Sequence, residues 1–423
     1  MRNARIAPES FMIGRILSRR FLTFIFLLAS VCVPAFAANE PDLCETHDWF
    51  QLRESIARNP SSQLCKGAVD ASFEKRAEAE KELQAVIRKI PHSSSSYRAH
   101  ELLMMMYFRQ GRYRKAAAQL DRMLAEKPDA EDAKAVQSLL AVLARNPDMT
   151  IVSNSPSMLR SETIERSLFV PVTANGVAGS YIVDSGANIS IMSESEARRL
   201  GLKLEATSTQ ASDVSGVGTA IRAAVVTDLW IGKTHLKHVG FIVSSDAGMP
   251  FVDLPEGYKG VLGIPVLIAL KSLRIGKENQ VDIGVGPASA SAKLVPLAFD
   301  GALPVTQMST NGKKFNFSLD TGADPTYLGP IFAEAFPELM QTGVKKDRTL
   351  KGISGNTIQE SIVVPSVRFS LGKEVELTPA IVLLKGSVPG SDWAAGNLGL
   401  DLISQTIPIT IDFGAMQLSI EDR

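Results

Sequence analysis

Cysteine and histidine are scarce in this chain, with three and five among 423 residues. His235 and His238 have the spacing of metal ligands, but no further His or Cys falls between residues 166 and 294, so a surface hairpin accounts for them better than a metal centre. No Gly-x-Ser-x-Gly and no phosphate-binding loop occur, which removes the common serine-hydrolase and nucleotide-hydrolase readings. Gly284-Val285-Gly286 runs into Pro287 instead of opening a helix, so it is no dinucleotide loop. A charge excess is also missing: 45 basic residues balance 45 acidic ones. Residues 1–37 hold Arg2, Arg5, Arg15, Arg19, Arg20 and a single acid, Glu9; without them 40 face 44, a formal charge of −4. Nothing therefore points to nucleic acid as a partner. Beyond the N-terminus no stretch is long and apolar enough to cross a membrane.

The N-terminus itself reads as an export signal. Arg15, Arg19 and Arg20 precede an apolar run from Phe21 to Val33, and Pro34-Ala35-Phe36-Ala37 offers a small-x-small cleavage site after Ala37. The expectation is a periplasmic or secreted protein that meets the membrane only if residues 1–37 stay attached. Removal of Cys32 leaves Cys44 and Cys65. In an exported protein this even pair suggests a disulfide closing a loop of about 20 residues and contributing roughly 3 kcal/mol. Both lie outside the repeat described below, and neither is placed as a nucleophile.

Residues 38–147 read as helical. Good helix formers dominate 72–89, and residues 97–130 resemble a tetratricopeptide unit at Leu103, Tyr107, Gly111, Tyr113, Ala116, Leu120 and Pro128. One such unit cannot bury its own apolar face, so helices over 70–89 and 130–145 are expected to stack on either side. The region could dock a protein partner or serve as a packing bundle. Residues 148–165, with Asn154, Ser155, Pro156 and Ser157, have the composition of a linker.

The remainder is an internal repeat. Apolar alternation in Phe315, Phe317 and Leu319 leads into Asp320-Thr321-Gly322-Ala323, and Tyr181-Ile182-Val183 leads into Asp184-Ser185-Gly186-Ala187. One Asp-Ser/Thr-Gly triplet would mean little. Here Asp320 lies 136 residues beyond Asp184, and the same offset relates Asn311-Gly312 to Asn175-Gly176, Gly352 to Gly216, and Leu398-Gly399 to Leu262-Gly263. Four landmarks in one register indicate two copies of a β-rich unit, over 166–294 and 295–423. In each copy an Asn-Gly hairpin precedes the Asp strand. Ser193 and Glu196 form a capping-box pattern with Gly201 just past the helix end, and a helix is expected near 330–341.

Two such units related by a pseudo-twofold would bring Asp184 and Asp320 face to face. Two carboxyls about 3 Å apart cannot both ionise easily, so they share a proton and titrate as a pair. One can then deprotonate a water while the other protonates a scissile carbonyl, with no cofactor, metal or covalent intermediate required.

Each repeat resembles a lobe of the retropepsin-like and pepsin-like aspartic proteases. The Asp-Thr/Ser-Gly-Ala loops carry the likeness, together with the apolar-Gly elements Val261-Leu262-Gly263-Ile264 and Leu398-Gly399-Leu400-Asp401-Leu402 and the closing stretch Ile409–Ile420. The resemblance covers about 255 residues and implies a mainly β fold, two tandem acid-protease β-barrel lobes behind a helical region. It implies an aspartic endopeptidase, with Asp184 and Asp320 catalytic and Ser185, Gly186, Thr321 and Gly322 supporting the loops. Asn188 and Asp324 would contact the peptide or protein substrate, and the turns at Gly216 and Gly218 and at Gly352 and Gly355 would be flaps over it. Lobe 1 departs from the family at Pro265, where many members carry Asp, and lobe 2 at Asn397, where the position is normally apolar; Pro325 follows Asp324. The competing reading is a non-catalytic peptide-binding or scaffold protein on the same fold. A variant keeps the lobes active but pairs each with its counterpart in a second chain.

Overall fold

Regularly spaced apolar residues among good helix formers carry the chain, among the described residues, through α1 (Trp49–Arg58), α2 (Gln63–Ser72), α3 (Arg76–Lys89), α4 (Ser94–Arg109), α5 (Tyr113–Glu126) and α6 (Glu131–Ala144). The structure, a computed structural model, describes residues 44, 47–59, 62–164, 166–211, 219–248, 250–278, 280–286, 291–352, 355–384 and 393–421; residues 1–37, read above as an export signal, and Gly216 and Gly218, read as a flap, lie outside them. Side-chain caps start several helices, Ser93 Oγ accepting the Ser96 amide at 3.0 Å and Asp48 Oδ1 that of Gln51 at 3.2 Å. Gly111, at φ +68°, turns α4 back onto α5 as the sequence predicts. Buried Ala99, Leu102, Leu103, Met106 and Tyr107 of α4 meet Tyr113, Ala116, Leu120 and Met123 of α5 along facing stripes. Cys44 and Cys65, the pair expected to form a disulfide, are both buried in this helical core.

The bundle is docked on both lobes. Arg109, at the end of α4, gives Nη1 to the Gly301 carbonyl at 2.8 Å and pairs through Nε with Glu74; each of these two side chains is only 3% exposed. Its guanidinium also lies over the Phe299 ring, 4.9 Å from the centroid. Trp49 donates its indole N–H to Asp300 Oδ1 at 3.0 Å. On the other lobe, the Leu139 amide of α6 donates to Thr209 Oγ1 at 3.1 Å and the Ser208 amide to Ser138 Oγ at 2.9 Å.

The stretch read as a linker instead forms three strands, β1 (Thr150–Ser153), β2 (Ser157–Arg160) and β3 (Glu162–Ile164). Lobe 1 continues with β4 (Ser167–Ala174), β5 (Val177–Val183), β6 (Ser190–Ser193), α7 (Glu194–Arg199), β7 (Glu205–Ala211), β8 (Thr219–Ile231), β9 (Thr234–Ser244), β10 (Gly260–Leu262), α8 (Ile264–Leu270), β11 (Ser272–Ile275) and β12 (Gln280–Ile283). The second copy has β13 (Lys293–Asp300), β14 (Leu303–Thr310), β15 (Lys313–Leu319), β16 (Tyr327–Leu328), α9 (Pro330–Ala335), α10 (Pro337–Thr342), β17 (Val344–Gly352), β18 (Gly355–Val364), β19 (Val367–Leu371), β20 (Lys373–Leu377), β21 (Ala380–Leu383), β22 (Gly396–Leu398), α11 (Leu400–Ile403), β23 (Ile409–Asp412) and β24 (Gln417–Ile420). The offset of 136 carries β4, β5, α7 and β10 onto β14, β15, α9 and β22 end for end.

One antiparallel sheet joins the copies, in the order β13-β24-β23-β11-β12-β2, with β11 and β23 at its centre. That order reads the same from either end once each strand is exchanged for its repeat partner, which is a pseudo-twofold axis running between β11 and β23. Strand β2 is the lobe 1 counterpart of β13, so the supposed linker is a structural edge; β1 pairs with β9 and β3 with β4. One continuous apolar core runs from the helices through both lobes, and its lobe 2 part is built around Phe315, Phe317, Phe332, Phe336 and Phe369. In lobe 1, Ser193 caps α7 as predicted, accepting the Glu196 amide at 3.2 Å. Glu196 does not return the bond to the cap; it is buried, accepting the Tyr181 hydroxyl at 2.6 Å and pairing with Arg199.

Candidate active site

Strands β5 and β15 each end on an Asp held by a neighbouring parallel strand. The Asp184 amide donates to the Leu262 carbonyl at 3.1 Å, and the Asp320 amide to that of Leu398 at 2.9 Å. Behind each loop stands a glycine that tolerates no side chain. A Cβ on Gly263 would lie 2.5 Å from the carbonyl carbon of Ile189, and one on Gly399 would lie 2.6 Å from the Ala323 oxygen. The next amide on each side, Ile264 or Leu400, donates to the Ala187 or Ala323 carbonyl at 2.9 and 2.8 Å. Ser190 Oγ and Thr326 Oγ1 accept the Gly263 and Gly399 amides at 3.1 and 2.9 Å, completing the same latch twice.

The loops then bind each other. The Ser185 amide donates to Thr321 Oγ1 and the Thr321 amide to Ser185 Oγ, both at 3.0 Å. Each hydroxyl passes its own proton across the lobe boundary, Ser185 to the Leu319 carbonyl at 2.8 Å and Thr321 to the Val183 carbonyl at 2.9 Å. All four groups are buried, so no water competes for them. This grip is formed within one chain, and the pairing of two chains is not needed to build it.

It brings the acids together. A Cβ on Gly186 would sit 2.5 Å from Asp320 Cγ, and one on Gly322 2.4 Å from Asp184 Cγ, so each glycine makes room for the opposite carboxyl. The two carboxyls are within hydrogen-bonding reach. Asp184 Oδ1 accepts the Gly186 and Ala187 amides at 2.8 and 3.1 Å; Asp320 Oδ1 accepts the Gly322 amide at 2.9 Å. Burial raises the Asp184 carboxyl well above the usual carboxylate range, the charge of Asp320 raises it further, and the two amides offset part of the rise.

The other predicted site residues are distributed less evenly. Asn188 is exposed, whereas Asp324 is half-buried and accepts from Arg166 Nη1 at 3.3 Å across the lobe boundary. This pair walls a cavity of about 530 Å³ that also touches Lys277, Glu278 and Asp401. Gly352 and Gly355 face each other at the tip of the β17–β18 hairpin. In lobe 1, β7 and β8 pair antiparallel with a register shift between Ala206 and Gln210, and Gly216 and Gly218 lie outside the described residues. Pro265 lies in the first turn of α8, where a missing N–H is harmless, while Asp401 in lobe 2 accepts the Thr326 and Leu402 amides at 2.9 Å. Sequence reasoning gave Arg166 no role and read Asn397 only as a departure from the family. Asn397 is buried and donates Nδ2–H to Asp320 Oδ2 at 2.9 Å. Its register match to the apolar Val261 was the signal available.

Residues 170–266 match the model of the aspartyl protease family. No curated protein sequence matches the chain. Among solved structures, a retropepsin-like aspartic protease from Rickettsia conorii aligns at 19% identity over 32% of this chain and 92% of its own, with a TM-score of 0.24. An aspartic proteinase from Irpex lacteus aligns at 13% identity over 63% of this chain and 97% of its own, with a TM-score of 0.41. Basic 7S globulin from soybean aligns at 10% identity over 64% and 95%, with a TM-score of 0.37. In its paired Asp loops and its two-lobed β fold, this chain resembles the retropepsin-like and pepsin-like aspartic proteases.

Proposed function

We propose that the chain is an exported aspartic endopeptidase whose single site uses one Asp from each lobe. The observation that carries the reading is the reciprocal Ser185–Thr321 grip, which sets Asp184 and Asp320 against each other. A buried pair that shares one proton holds an acid and a base side by side. With a peptide over the pair, the ionised carboxylate takes a proton from a water as its oxygen attacks the scissile carbonyl, and the protonated partner gives its proton to the carbonyl oxygen. Collapse of the resulting diol, with proton transfer to the amide nitrogen, releases an amine and a carboxylic acid. The hairpins β7–β8 and β17–β18 would close over the substrate, and the helical region would serve as a docking surface for a protein partner.

The test is incubation of the purified chain with an unbiased peptide mixture across acid to neutral pH, reading cleavage by mass spectrometry. Cleavage with a bell-shaped pH dependence is expected. A folded chain that retains peptides and cuts none at any pH would favour the peptide-binding reading.

A further inference from the structure

The two halves of the site differ in the strands beneath them. In lobe 1, Asp184 stands two residues past Ile182, so both project to one face of β5. Ile182 pairs with Val261 of β10, and Val261 with Ile191 of β6. All three are apolar and belong to, or pack against, one cluster with Phe169 and Ala187. The same three positions in lobe 2, 136 residues on, are Ser318, Asn397 and Tyr327, paired in the same register. Asp320 therefore stands at the end of a polar row, whereas Asp184 stands at the end of a hydrocarbon one.

The polar row is oriented. Ser318 Oγ donates to Asn397 Oδ1 at 2.6 Å, which fixes the amide so that Nδ2 faces Asp320 Oδ2 at 2.9 Å. An N–H aimed at a carboxyl oxygen bonds more strongly to the ionised form than to the protonated one, and donors on both oxygens leave no free oxygen for the proton. Both oxygens of Asp320 thus receive donors, Gly322 N–H on one and Asn397 on the other. For Asp184 the donors are the two backbone amides on Oδ1. Other ionisable groups around the lobe 2 loop are already engaged or lie to its side: Asp324 with Arg166, Asp401 with Thr326, and Tyr327, which Arg348 of β17 faces.

We propose that Asn397, held by Ser318, is a positioning residue that keeps the shared proton on Asp184 and makes Asp320 the carboxylate that deprotonates the water. The inference rests on the endopeptidase reading for its consequence in catalysis, but the proton placement can be measured without it. Asn397→Val installs the lobe 1 counterpart. Removing the donor destabilises the monoanion relative to the doubly protonated pair. It leaves the second ionisation nearly unchanged, because Asp320 is charged on both sides of that step.

The experiment is a pH profile of kcat/KM for wild type, Asn397→Val and Ser318→Ala, beside a ¹³C-carboxyl NMR titration of the same proteins with the Asp320 signal assigned through Asp320→Asn. The expected result is an acid limb displaced upward by about one to two pH units in Asn397→Val, a smaller displacement in Ser318→Ala, and a fixed alkaline limb. In the NMR titration Asp320 should be the group ionised in the wild-type monoanion. Limbs that stay in place, limbs that move together, or a wild-type monoanion with its proton on Asp320 would overturn the proposal. If no peptide is cut at any pH, the endopeptidase reading fails and the NMR titration alone decides the proton's position. Thermal unfolding checks that each variant is folded, and Ser318→Ala carries the comparison should Asn397→Val not fold.

Discussion

The hydroxyl of Thr321 accepts the Ser185 amide and donates to the Val183 carbonyl, and no solvent reaches either bond. Replacing it by the isosteric valine leaves a donor and an acceptor unpaired in the interior. Thr321→Val should therefore cost about 2–4 kcal/mol in urea unfolding and should sharply reduce cleavage, while Thr321→Ser should keep most of both. Asp184 supports a second prediction with a defined sign. Its carboxyl is raised by burial and by Asp320, so between the ordinary carboxylate range and the raised value the folded chain holds a proton that the unfolded chain has released. Stability must then fall as pH climbs through that window. Asp184→Asn has no charge to bury, so its melting temperature should exceed that of wild type near neutrality, with the difference shrinking toward acid pH. A difference constant with pH would contradict the assigned burial of the charge.

Among the elements, the two latches behind the Asp loops are the least forgiving. Gly263→Ala drives a methyl into the backbone at Ile189 and Ala187, which neither a rotamer change nor a flexible neighbour can relieve. The expected cost is about 2–4 kcal/mol. Gly176→Ala meets nothing within 4 Å and is strained only by φ +80°, so it should cost about 1 kcal/mol. Urea titration of the two variants checks the order. The same elements show what the sequence could disclose. A shared offset of 136 residues exposed the repeat because matching loops need the same glycines at the same distance from the same acids. Strands β1 to β3 escaped notice because edge strands bury little; in β2 only Leu159 is buried, and Asn154, Ser155 and Pro156 look like a linker. The partner of Asn397 was invisible because it lies on a neighbouring strand 77 residues earlier.

For the whole molecule, the helical bundle is part of the folded body. Arg109 ties α4 to the turn after β13, and α6 is bonded to β7. Arg109→Leu takes from Glu74 the buried one of its two arginines, leaving Arg76, and takes from the Gly301 carbonyl its donor, a loss of about 2–3 kcal/mol measurable by chemical denaturation. The central six-stranded sheet and the bundle together hold the lobes so that one acid from each reaches a shared position. The most direct test of that claim is the cleavage rate of Asp184→Asn, Asp320→Asn and the double variant on one peptide. If the acids act as a unit, each single substitution removes activity as completely as both together. A single variant that keeps about half the wild-type rate, with the remainder lost only in the double, would mean two independent sites and would contradict the shared pair.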